Sequence, residues 1–158
     1  MFFERFALNS ALVAYLHYLS FAIVITSLTI EALTFTPKPT VPQCWRILAA
    51  DTAYGIAGTG LLVTGILRLL YFAKGSEFYT QNPVFWIKMG LFITVGLLSL
   101  LPTISYLRWI GDLRDEKLPV IHDWQARWIP KIIYVELIGF SLIPLVATLM
   151  ARGIGLPA

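Results

Sequence analysis

Three residues that could bind something stand inside otherwise apolar stretches: His17 in "YLHYLSFAIV", Arg68 in "GLLVTGILRLLYF" and Lys88 in "NPVFWIKMGLF". A neutral imidazole is a common axial ligand of haem iron within helical bundles. Guanidinium and ammonium groups hold carboxylates. Together the three would suit haem b or a related porphyrin, with His17 on the metal and Arg68 and Lys88 against the propionates. Bland alternatives stand beside this one. His17 can be a packing histidine bonded to Ser20 or to a neighbouring helix, and Lys88 can snorkel to the headgroups beside Trp86. The only other histidine, His122, lies in a charged connection, which excludes a bis-histidine site within one chain. A second ligand would be Lys88, Met89, Met150, a tyrosine or none.

The elements that position these residues follow from composition. Of the 158 residues, 58% are hydrophobic and 13% charged, and the mean hydropathy is +0.75. A soluble domain carries about 25% charged residues. Four apolar stretches stand out, at about 6–32, 50–72, 83–107 and 129–151. Each reaches the roughly 20 residues that a helix needs to cross the hydrocarbon of a bilayer. Backbone groups in lipid must be satisfied within the segment, and none of the four alternates with period two, so helices are expected. The chain reads as one transmembrane domain, residues 1–158: an all-α, integral membrane four-helix bundle that passes the bilayer several times.

The tryptophans fit spans that end at headgroups: Trp45 before the second, Trp86 and Trp109 at either end of the third, Trp124 and Trp128 before the fourth. "MFFERFALNS" lacks the basic region and cleavage site of a signal peptide, so the first span is expected to be retained. The lone Cys44 excludes an internal disulfide and any paired-cysteine motif. The net charge of +3 holds no basic block of the kind that nucleic-acid binders carry, so no nucleic-acid partner is expected.

With four spans, both ends and the second connection share one face, A; the first and third connections share the other, B. Lys38, Arg46, Arg108, Arg114, Lys117, Arg127 and Lys131 lie towards B, against Arg5, Arg68, Lys74, Lys88 and Arg152 towards A. The positive-inside rule then places B in the cytoplasm. The third connection is the longest, and Asp123 could cap a short turn before span four.

Positions seven apart nearly superpose on a helix. Ser10, His17, Val24 and Glu31 align in span one, and Asp51, Gly58 and Gly65 in span two. Lys88, Val95, Ser99 and Tyr106 share a sector of span three, and Glu136, Phe140 and Met150 one of span four. Lipid penalises polar groups, so these stripes should face one another. At a rise of ~1.5 Å per residue, Arg68 and Lys88 lie roughly 6–7 Å in from face A and His17 roughly 16 Å. Glu31, Asp51 and Glu136 fall in the B half, where Arg46 or Lys131 is the expected ion-pair partner of the latter two. "GIAGTG", at 55–60, is no phosphate loop, because it lies inside a span with no strand before it. Gly55 and Gly58, with Gly65, are expected to let a neighbouring helix approach closely.

The runs "YLHYLSFAIV", "ADTAYGIAGTGLLVTGILRLLYFAKG", "NPVFWIKMGLFITVGLLSLLPT" and "ELIGFSLIPLVATLMARGIG" resemble a family of bacterial four-helix predicted membrane proteins of unknown function. That resemblance implies a fold and a bacterial inner membrane or its equivalent. A first-span histidine and a third-span tryptophan followed by lysine, here His17 and Trp86-Ile87-Lys88, also resemble HemJ-type protoporphyrinogen oxidases and CopD-like copper-resistance proteins. The HemJ resemblance would assign His17 and Lys88 to haem binding and activity. A copper role finds no cluster of His, Met or Cys ligands.

The leading expectation is therefore a porphyrin site at His17, Arg68 and Lys88. If it is redox-active, a membrane oxidoreductase would pass electrons between the porphyrin and a quinone or respiratory partner. The alternative is a non-enzymatic accessory or assembly subunit, packed as a homo-oligomer or in a larger membrane complex. A small transporter fits less well, since neither an inverted repeat nor a broken helix is visible.

Overall fold

A computed structural model describes residues 2–72 and 76–155 of the chain. Four long helices, α1 (Phe2–Thr34), α2 (Val41–Leu67), α4 (Pro83–Arg114) and α5 (Asp123–Ala151), are joined by short connections; the second contains a one-turn helix, α3 (Ser76–Thr80). A π-helical turn, Arg68–Phe72, continues α2. Among the described residues there is no strand. All four long helices are long and apolar enough to cross a membrane. Lys74 lies outside the described residues.

The helices form a ring in the order α1, α2, α4, α5. Helix α1 packs chiefly on α2 and α4 on α5; the two hairpins meet through α2–α4 and α1–α5. The diagonal backbones, α1 with α4 and α2 with α5, do not approach each other. A narrow interior of Val24, Leu28, Ile47, Val95, Ile129, Ile133 and Phe140 fills the ring, while leucines and isoleucines such as Leu12, Ile56, Leu97 and Ile138 face outward. Helices in lipid gain little from removing apolar surface from water, so close packing must hold them. Two glycines show where. A methyl group at Gly60 would stand 2.7 Å from Ser20 Oγ, and one at Gly139 would stand 2.6 Å from Val95 Cγ2. Each marks a close approach within a hairpin.

Three expectations change. The second and fourth helices begin earlier than their apolar stretches suggest. Pro42 is tolerated in the first turn of α2, where its missing N–H has no intrahelical partner in any case. The Thr40 N–H donates to Gln43 Oε1 at 2.8 Å, which closes that start. Likewise the His122 N–H donates to Gln125 Oε1 at 2.9 Å, so Asp123 is the first residue of α5 and no separate turn precedes it. Trp109 is no headgroup anchor: it is 2% exposed, its ring 4.8 Å from that of Tyr106. Trp45, Trp86, Trp124 and Trp128 do remain exposed. Finally, a Cβ at Gly55 or Gly58 would meet nothing within 4 Å, so the expected close approach on that face is absent. With Gly96, these glycines instead line a recess of about 170 Å³ between α2 and α4, walled by Tyr54, Phe92, Ser99 and Phe140.

Candidate functional site

The structure gathers the polar residues into two layers. In the A half, α1 presents His17 to α2, and its Nδ1 lies 2.8 Å from Thr64 Oγ1. The Thr64 hydroxyl donates to the Gly60 carbonyl at 2.6 Å, so its proton is already committed. With that proton on Gly60, Nδ1 can donate to Thr64, and a neutral imidazole in this tautomer carries its lone pair on Nε2. That is how an outer hydrogen bond sets the tautomer of a metal-binding histidine. Gly65 keeps room for the ring: a Cβ there would touch His17 Cε1 at 3.6 Å.

Arg68 and Lys88 both lie close enough to act electrostatically on His17, and on each other. Arg68 opens the π-helical turn, a feature that often accompanies functional sites. Its guanidinium carbon sits 5.3 Å from the centre of the Tyr18 ring, and its Nη1 is buried without a hydrogen-bond partner. Lys88 Nζ stands 5.4 Å from the centre of the Phe85 ring, one turn back towards face A. Neither cation pairs with a carboxylate among the described residues. His17 is thus within electrostatic reach of both cations, from roughly 9 Å deeper along the bundle. His122 is at the opposite end, at the start of α5.

In the B half, Glu31 from α1, Asp51 from α2 and Glu136 from α5 are buried, 2%, 5% and 1% exposed, and lie within electrostatic reach of one another. Helix α4 closes the group with Thr103, Tyr106 and Trp109. Thr103 Oγ1 donates to Asp51 Oδ1 at 2.6 Å. Most threonines in these helices donate instead to a carbonyl of their own helix, as Thr52 and Thr64 do. The Tyr106 hydroxyl faces Glu31 across the diagonal of the ring without closing a hydrogen bond. Glu31 Oε1, both carboxyl oxygens of Glu136, and Trp109 Nε1 also lack partners.

This corrects the expected ion pairs. Neither Arg46 nor Lys131 bridges Asp51 or Glu136. Lys131 lies over the Trp128 ring instead, with Nζ 5.1 Å from its centre. Arg46 lines an outward groove between α1 and α2. The one ion pair between described residues is Lys117–Asp115, at 3.2 Å on the surface.

Residues 9–155 match a family described as Predicted membrane protein (DUF2214). The chain belongs to that family. No curated protein and no solved structure matches it. For this DUF2214 member, the resemblance to HemJ-type and CopD-like proteins expected from His17, Trp86 and Lys88 is therefore not shown. Among the described residues no three His, Cys, Asp or Glu side chains are arranged to hold a metal ion. Sequence reasoning missed the parts that α4 plays in the DUF2214 bundle. Tyr106 was legible as a member of the polar sector of span three, but nothing in the order of residues signalled that Trp109 would turn inward beside it.

Proposed function

We propose that this DUF2214 protein, in a bacterial inner membrane or its equivalent, binds an anionic tetrapyrrole, haem b or a related porphyrin, at His17, Arg68 and Lys88. The observation that carries the reading is the buried, unpartnered Nη1 of Arg68 beside Lys88 and His17. Two cations within membrane spans are costly without an anion, and no carboxylate among the described residues pairs with them. The donor set fits such a ligand. The cations suit propionates, and His17, its Nδ1 held by Thr64, offers Nε2 to the metal. His17 lines neither of the two best-formed cavities, so the half-exposed side of its ring would receive the ligand. A bound haem iron would supply one-electron redox chemistry. The chain's own part is to orient the imidazole and hold the carboxylates.

The test is an absorption spectrum of the detergent-purified protein, as isolated, after dithionite, and after reconstitution with haemin. The reading expects a Soret band that is lost in His17→Ala and weakened in the double variant Arg68→Met/Lys88→Met. A protein that stays colourless after reconstitution would sink it.

The open face of Gly55, Gly58 and Gly96 favours a second reading, an accessory or assembly subunit that receives a helix from a second copy or another membrane protein. Gly58→Leu would then release a co-purifying partner or break a homo-oligomer in mild detergent. Size-exclusion profiles identical to the parent protein would count against it.

A further inference from the structure

The B-half carboxyl cluster belongs to no part of the tetrapyrrole site. Glu31 is 14 residues from His17 along α1, a rise of about 21 Å. The cluster is also too enclosed to be a solvated acidic face. Glu31, Asp51 and Glu136 come from three different helices, each at most 5% exposed. The charged groups that act on Glu31 are Asp51 and Glu136, and the one that acts on Glu136 is Asp51. Tyr54 from α2 and Tyr106 from α4 are the other titratable groups facing them. No lysine, arginine or histidine among the described residues pairs with any of the three.

Three negative charges with no countercharge cannot be held in such a place. Something positive must accompany the carboxyls. The described side chains give a metal ion no ligand set. What they offer are hydrogen-bonding groups without partners: the Tyr106 hydroxyl, which is fully buried and faces the cluster, and both oxygens of Glu136. Such groups serve water and protons. The recess of about 170 Å³ between α2 and α4 is lined by Tyr54, which itself faces Glu136, and by Ser99.

We infer that Glu31, Asp51 and Glu136, with Tyr106, form a proton-binding site within the bundle. Asp51, which accepts the Thr103 hydroxyl, carries the single negative charge, and Glu31 and Glu136 each hold a proton. The site stands whether or not the tetrapyrrole reading does, since it uses none of the same residues.

Infrared spectroscopy of the full-length protein in detergent or lipid tests this directly. Every other acidic side chain among the described residues is exposed, so a neutral carboxylic-acid C=O band at neutral pH reports on this cluster. The band is expected at neutral pH, to shift in deuterium oxide, and to fade as the pH is raised and the protons leave. Glu31→Gln and Glu136→Gln should each remove half of it, while Asp51→Asn should leave it unchanged. The proposal is overturned if the parent protein shows no such band at neutral pH, an outcome that needs no variant to fold. It is equally overturned if all three variants leave the band intact. A band governed by sodium at constant pH would make the ligand a metal cation and overturn it as well.

Discussion

The two ends of the bundle treat charge in opposite ways. In the A half the charged groups are half-buried, rest on aromatic faces, and keep atoms turned to whatever comes: Arg68 over Tyr18, Lys88 over Phe85. In the B half they are buried inside the bundle, within electrostatic reach of one another, with Tyr106 facing them. Long basic side chains can reach an interface through their methylene stems, and short acidic ones cannot. The difference teaches that A-half residues are available for a ligand, whereas B-half residues are part of what the helices enclose.

If that division holds, substitutions in the B half should unfold the bundle and those in the A half should spare it. The largest effect is expected for Tyr106→Ala, which empties a fully buried aromatic site that spans the ring diagonal. A loss of about 3–5 kcal/mol should appear in equilibrium unfolding in mixed micelles. At the midsection, Gly139→Leu would drive a side chain into Val95 and should cost about 1–3 kcal/mol in the same assay. A smaller loss tests the two halves against each other. Thr103→Val strips Asp51 of its donor inside a sealed site and should cost about 1–3 kcal/mol. The matched change Thr64→Val frees the ring of the half-exposed His17 and should cost about 0.5–1.5 kcal/mol. Equal losses would blur the distinction between the halves. The smallest effect belongs to Lys88→Met, within about 0.5 kcal/mol of the parent by thermal denaturation. A loss as large as that of Tyr106→Ala would show that Lys88 holds the fold together and would break the comparison outright.

Much of this layout could be read from residue order. Hydropathy marks four spans, and a seven-residue spacing brings His17, Val24 and Glu31 onto one face of α1; Val24 and Glu31 are indeed buried. Depth along a helix is simple arithmetic, so Arg68 and Lys88 fall in one half, His17 near the midplane and the acids in the other half. Rotation about the helix axis is less forgiving. Arg46 and Lys131 stand at the right depth to pair with Asp51 and Glu136 but point outward, because neighbours on two other helices decide which sector faces in. Trp109 obeys the same rule in reverse: its position at the end of an apolar stretch suggests a headgroup anchor, and its rotation about α4 places it inside against Tyr106. The early starts of α2 and α5 escape hydropathy because a proline-containing turn and a polar turn can be helical when a glutamine closes them.

Those glutamines have one more effect. Gln43 and Gln125 secure the two helices that begin at face B, where many capping motifs use a glutamate. An amide cannot ionise. The Thr40–Gln43 clamp of α2 is therefore electrically silent. It neither loosens when the compartment acidifies nor weakens as salt or anionic lipid changes the potential at the bilayer surface, and α2 keeps a fixed starting height in the membrane through such changes.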